Sequence, residues 1–462
     1  MIRKKTLPGQ QDFWLPRQAI VAGASSGYFD KLSELLDATG FGDAIRALCA
    51  PYYKGAGAGR PPVDPEVYFK MLFVGYFEGT CSERATCSRC EDSIMIRRFL
   101  RYDLTEKTPD HTTLSKIRKR LPLEVFEAAF DLVLRTVRDA GLLEGRELGN
   151  DASTMEANAS LEGLVNRMSK ESYWSYVKKL AQEAGVDPED EVAVRRFDKK
   201  REGRKTSNKE WVNPHEPDAK VGRRKDGACD MIHKPEHTVD LKSGAILAAE
   251  VMSGDQGDAQ GFAERMISAA ALLDAMDSED SEDSEDSEDS ERKMVADAGY
   301  NQKDELESLV SAGLAPVIPA PVNRKLPDEH KVPGAHAASL SAKEACASEK
   351  GKTLLKARAE KVERSFAHVL DSGGMRRTTL RGLENINKRY CVATAAFNLS
   401  VLMRAKFGYG TVKQFVAGNK VGKSVPFTGV LHVLEQYLGR TTVAEKWKSH
   451  RQPVIQIFCS AA

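Results

Sequence analysis

The sequence predicts a mixed α/β protein, with a helical region first and then a sheet on which further helices pack. Three observations predict it. From Pro65 to Ala140 apolar residues recur at three- and four-residue steps, as on buried faces of helices. From Leu148 to Ala320 short apolar runs alternate with helical stretches in the order strand, hairpin, helix, strand, helix, strand. From Lys352 an amphipathic helix follows, with Leu355, Ala359, Val362, Phe366 and Val369 as its stripe and Gly373-Gly374 as its end.

The chain has 462 residues, which suggests two or three domains. Its 41% hydrophobic and 29% charged content is that of an ordinary globular protein. The net charge of +1 hides an asymmetry, because the repeat from Asp277 to Glu291 holds ten acids and the rest therefore carries +11. A moderately basic body favours a polyanionic partner. No apolar run approaches the roughly 18 to 20 residues of a membrane span, and the start MIRKKTLPGQQDFW lacks the apolar core of a signal peptide. The eight cysteines are scattered; Cys87-Ser-Arg-Cys90 has no second pair at zinc spacing, so reduced thiols are expected.

Residues 1–60 read as an arm and linker with short helices near Tyr28 to Leu36 and Phe41 to Leu48. The glycines of Gly55 to Gly59 precede Arg60-Pro61-Pro62 instead of a helix start, which makes them a linker and not a phosphate loop. Residues 61–145 form a helical domain. One helix ends near Gly79, and Ser82 caps a second with Cys90, Ile94, Ile96 and Phe99 as apolar members. A third spans Leu114 to Leu121 and a long one follows Pro122. The third carries Lys116, Arg118, Lys119 and Arg120, a charge run that suits DNA contact as well as a solvated face.

Residues 146–406 form the sheet-bearing domain. Its first strand, Leu148 to Asp151, leads into an insert at 161–226 with a helix near Tyr173 to Gln182. The insert's basic residues, Arg223 and Arg224 among them, are numerous enough to track phosphates, or it is a polar insert without contacts. Ile232 to Leu241 and Ala245 to Met252 read as a hairpin, Ala259 to Met276 as a helix, and 277–291 as a solvent-exposed low-complexity loop. The strand Lys293 to Ala296, a helix at Gln302 to Ala312 and the strand Ala315 to Ala320 follow, and Pro321 to Lys350 reads as loop. After the glycine pair comes a cationic patch of Arg376, Arg377, Arg381 and Lys388. The tail at 407–462 has helical signals near Val430 to Leu438.

Three carboxylates stand out. Asp151 and Asp297 end strands and precede small residues, while Glu363 borders the stripe of the long helix, with Glu360 as the competing acid. Acids at the ends of neighbouring strands, with one on a helix, would converge at one edge of the sheet. Such hard oxygen ligands suit Mg2+ or Mn2+, and two ions about 3.5 to 4 Å apart promote in-line phosphoryl displacement. His237 lies on a core strand and is either a DNA or metal contact or a structural histidine.

The motifs LGNDASTMEANAS, KPEHTVDLKSGAILAAEVMSGDQGD, VADAGYN and RAEKVERSFAHVLDSGGMRRTTLRGLENINKRY resemble the DDE transposases of bacterial insertion sequences. GRPPVDPEVYFKMLFVGYFEGTCSERATCSRC with PDHTTLSKIRKR is similar to their N-terminal helical domain. The resemblance runs from about Gly59 to Arg404 and implies a ribonuclease-H-like core. It implies that Asp151, Asp297 and Glu363 bind Mg2+ (or Mn2+), cleave transposon ends at terminal inverted repeats and join them to target DNA. It also implies a homodimer on double-stranded DNA, in the bacterial cytoplasm at the nucleoid. Where related enzymes place an arginine four residues before the glutamate and a lysine seven after it, this chain has Ala359 and Leu370. Arg358 and the Arg376/Arg377 pair are the candidates to replace them. The alternatives are another ribonuclease-H-like nuclease and a non-catalytic, transposase-derived DNA-binding protein.

Overall fold

The computed structural model describes residues 26–53, 61–80, 82–202, 207–224, 227–278, 291–322 and 326–420. The Gly55 to Gly59 linker, most of the acidic repeat and the segment near Val430 to Leu438 lie outside the described residues.

Among the described residues seven α-helices come first: α1 (Ser26–Ala38), α2 (Phe41–Cys49), α3 (Pro65–Phe77), α4 (Glu83–Asp92), α5 (Ile94–Phe99), α6 (His111–Arg120) and α7 (Leu123–Asp139). Asp64 starts α3 by accepting the Glu66 amide, and nearly every residue of that helix is buried, so it is the axis of the bundle. The single helix expected from Ser82 to Phe99 is two. Ser93 is extended (φ −95°, ψ 112°) and its hydroxyl accepts the Ile96 amide, which ends α4 and caps α5. Residues 26–53, expected to belong to an arm and linker, bury Tyr28, Phe29, Leu32, Ile45 and Cys49 in the same core as α3 and α7.

The sheet region follows as β1 (Glu147–Ala152), β2 (Met155–Glu156), β3 (Val165–Asn166), α8 (Tyr173–Glu183), α9 (Glu191–Lys200), β4 (Trp211–Val212), β5 (Lys220–Arg223), β6 (Cys229–Asp240), β7 (Ile246–Ser253), α10 (Phe262–Ser278), β8 (Arg292–Val295), α11 (Lys303–Ser311) and β9 (Leu314–Val317). Four helices complete the described chain: α12 (Pro333–Ala347), α13 (Glu349–Phe366), α14 (Leu383–Phe407) and α15 (Val412–Lys420). The central strands lie in the order β7-β6-β1-β8-β9. β6 is antiparallel to β7 and β1, whereas β1, β8 and β9 are parallel. This is the expected ribonuclease-H-like mixed sheet, with the helical region before it.

One further expectation fails, and one alternative for the insert is excluded. Pro321 to Lys350 is not all loop, because α12 occupies its second half and buries Ala335, Ala338 and Ala342. Pro333 sits in its first turn, where a missing N–H costs nothing, and the alanines favour helix strongly enough to outweigh the neighbouring Gly, His and Ser. The insert, in turn, is a packed lobe. Tyr173, Val177, Ala181, Val194 and Trp211 form its own apolar cluster, with the Tyr173 and Trp211 rings edge to face at 5.1 Å.

β7 would leave a raw sheet edge, and α14 closes it. Asn387 accepts the Val251 amide at 2.7 Å and donates to its carbonyl at 3.0 Å; Asn398 does the same to Ile246 at 2.8 and 2.7 Å. The spacings match: eleven helical residues rise about 16 Å, and five strand residues span about the same. α14 also packs on α3 and α7, so the bundle and the sheet share one core.

Candidate active site

The site is built at the carboxyl ends of β1 and β8. In β1, Leu148 and Asn150 are fully buried, whereas Gly149 and Asp151 face α13. A Cβ on Gly149 would lie 2.6 Å from Leu241, 3.0 Å from Arg358 and 3.3 Å from Val362, so glycine is what lets α13 settle against the strand. Asp151 then emerges at the strand end. One of its carboxylate oxygens accepts the Ala152 amide at 2.8 Å, and the other accepts Arg358 Nη1 at 2.7 Å. β8 runs parallel to β1 with Val295 opposite Gly149, which brings Asp297 to the same edge. Asp297 caps a one-turn helix, Ala298–Tyr300, by accepting the Gly299 amide at 2.8 Å; its other oxygen lies 3.9 Å from Arg358 Nη2. One guanidinium therefore spans both acids.

Glu363 lies on the same helix, five residues beyond Arg358 and so about 140° further round it. It is exposed, next to the buried Val362; Glu360 is exposed as well and is paired with Arg364 at 2.6 Å. The structure thus brings Asp151 and Asp297 together but does not draw Glu363 to them. Among the described residues no group of three His, Cys, Asp or Glu is close enough to hold one ion. The donor chemistry nevertheless fits a divalent cation: two hard carboxylates converge, and the place between them already takes a positive charge. The buried face of α13 differs in detail from the expected stripe. Ala359 is exposed, and Leu370, at the position of the expected lysine, is fully buried in the core.

Two buried networks position this edge. On the α13 face, His237 pairs with Asp151 across the strands and stacks on Phe366 at 4.1 Å. Its Nδ1 lies 2.8 Å from Ser365 Oγ and its Nε2 2.7 Å from Tyr390 Oη. Full burial pushes its pKa down to about 3, so the ring is neutral and both nitrogens are taken. It is a structural histidine. On the opposite face Glu236 accepts Arg265 at 2.6 and 3.1 Å and the Tyr300 hydroxyl at 3.2 Å. Burial raises the Glu236 pKa against the opposing pull of Arg265. Since Tyr300 ends the turn that starts at Asp297, this network fixes the second acid's backbone. Sequence reasoning missed Glu236, whose one signal was an acid inside an apolar strand.

The basic candidates divide. Lys116, Lys119, Arg120, Arg223, Arg377 and Arg381 are exposed. Arg376 is half-buried and paired with Asp371 at 2.8 Å, and Arg224 with Glu156 at 2.6 Å. Arg118 and Lys388, expected to face DNA, are buried instead. Arg118 pairs with Glu83 of α4, and Lys388 with Glu384 at 2.6 Å and with the Arg118 carbonyl at 3.3 Å. The insert also carries cations on aromatic faces, with Arg195 5.2 Å from the Trp174 ring and Arg201 6.0 Å from that of Tyr176.

A ribonuclease-H-like sheet with paired acids at the ends of adjacent parallel strands defines a class of proteins that act on nucleic-acid backbones. Residues 25–120 match the family described as transposase domain (DUF772), and residues 321–403 match that described as transposase DDE domain. The two matches, in this order, support a DDE transposase of the insertion-sequence type and the function of a DNA transposase. The DDE match covers Arg358 and Glu363, while Asp151 and Asp297 lie between the two matched segments. Comparison with curated proteins and with solved structures finds no match. Among the described residues no helix is long and apolar enough to cross a membrane.

Proposed function

We propose that the chain cleaves the terminal inverted repeats of its element and joins the freed ends to target DNA, with Asp151, Asp297 and Glu363 as the ligands of Mg2+ or Mn2+. What carries this reading is the convergence of Asp151 and Asp297 on one cationic locus at the sheet edge. Bound divalent ions would supply a water or 3′-hydroxyl activated for attack and charge stabilisation for the leaving oxygen. Asp151, 33% exposed, and Asp297, 48% exposed, offer oxygens that reach solvent while their backbones are fixed by the sheet. Glu363 approaches from α13 as the third ligand, while the His237 network holds α13 against the sheet and the Glu236 network fixes the turn that follows Asp297. The exposed cations Lys116, Lys119, Arg120, Arg223, Arg377 and Arg381 take the duplex backbone, and two copies pair on the two ends. The enzyme works at the nucleoid in the bacterial cytoplasm.

The test is incubation with the DNA flanking the protein's own gene, in Mg2+ and in EDTA, scored for nicking and for joined products. Asp297→Asn keeps the shape of the cap and should cut cleavage about a hundredfold or more, because losing a ligand costs at least as much as losing the partner that orients one. Cleavage without joining would instead mark a nuclease. Binding without cleavage would mark a DNA-binding remnant.

A further inference from the structure

The geometry points to Arg358 as a built-in counter-ion that occupies the cation locus between Asp151 and Asp297 until DNA draws it away. This inference rests on the metal-dependent reading above and adds its control. The guanidinium makes one hydrogen bond, to Asp151 at 2.7 Å, and stands 3.9 Å from Asp297, beyond hydrogen-bond reach. Its Nε is buried without a hydrogen-bond partner in the protein. The fork is therefore held by charge and is not satisfied as a bidentate pair would satisfy it. The root of the side chain cannot move far. Its Cγ lies over Gly149, and α13 is pinned by Val362 on that glycine and by Ser365 on His237. Motion is confined to the guanidinium end.

Two consequences follow. Without DNA, the two carboxylates face a fixed positive charge where a divalent ion would enter, so the ion must displace Arg358 and binds weakly. With DNA, a phosphodiester presents paired anionic oxygens, the geometry an arginine fork prefers to one carboxylate oxygen. As the fork turns to the backbone, both acids are bared and the ion affinity rises. By linkage, the factor by which DNA tightens the ion equals the factor by which the ion tightens DNA. The chain then loads its cation on DNA and not in free solution.

The experiment titrates Mn2+ into the full chain and follows free Mn2+ by electron paramagnetic resonance, with and without a duplex from the DNA flanking its gene. The wild type should bind weakly alone and about tenfold or more tightly with DNA. Arg358→Gln should bind tightly without DNA and gain little from it. Arg358→Lys, which keeps the charge, should stay weak alone; the pair separates charge from packing, and circular dichroism confirms that each variant folds. Asp151→Asn should lose the tight site in every arm. If Arg358→Gln binds Mn2+ no tighter than wild type while Asp151→Asn abolishes binding, the counter-ion role is overturned and the metal site stands. If Asp151→Asn leaves Mn2+ binding unchanged, the metal-dependent reading falls, and this inference with it.

Discussion

Acid should loosen the wall that carries Arg358 and Glu363 through a single buried ring. His237 is fully buried and its pKa is pushed from the usual 6.5 down to about 3. A histidine depressed in the fold contributes stability above its unfolded pKa, and loses it as pH falls towards the folded one. Below about pH 6.5 the unfolded chain takes up a proton that the folded chain refuses, so stability falls by about 1.4 kcal/mol per pH unit. Between pH 6.5 and pH 5 that amounts to about 2 kcal/mol from this residue. His237→Gln removes the titration. At neutral pH the variant should be weaker by about 1–3 kcal/mol, through the lost stacking on Phe366 and one hydroxyl left without its partner. Urea unfolding followed by circular dichroism at pH 7.5, 6 and 5 compares the two. The gap between wild type and variant should close by about 2 kcal/mol on going to pH 5. His233, whose pKa burial lowers to about 4, titrates in both chains and cancels. A gap that stays constant across this range would refute the buried neutral ring.

Two further outcomes follow from packing and charge. Gly149→Val puts methyl groups where Leu241, Arg358 and Val362 already stand; it should lower stability by about 1–3 kcal/mol in urea and abolish cleavage, since it pushes α13 off β1. Lys119→Ala should reduce the slope of log affinity against log salt for duplex DNA by about one, whereas Arg118→Ala should leave that slope unchanged. Arg118→Ala should instead destabilise the chain by on the order of 3 kcal/mol, because it strands Glu83 without its partner.

The two strand-end acids were legible because each closes an apolar run and precedes small residues, a local signal that needs no knowledge of the rest of the chain. The hairpin and the order of the strands were legible for the same reason. Arg118 was misread although its register was available. It falls four residues after Leu114 and so shares the face that Leu114 and Ile117 bury, but a run of charges reads as solvated. α12 was hidden because its buried face is made of small alanines, which mark no large apolar stripe at three- and four-residue steps. The His237 network joins residues 128 and 153 positions away, and no local period can report such a contact. Glu363 remains as the sequence described it, an acid beside the buried stripe, and its approach to the strand-end acids belongs to the proposal.

The two asparagines of α14 bear on how copies of this chain can meet. By saturating the amide and carbonyl of Ile246 and of Val251, they remove the hydrogen-bonding groups through which another copy's strand would extend the sheet at β7. The paired complex proposed above would therefore be joined by side-chain surfaces or by the DNA itself, not by a sheet running continuously from one protomer into the next through β7. Replacing Asn387 or Asn398 would do more than weaken the fold: it would reopen an adhesive margin along β7.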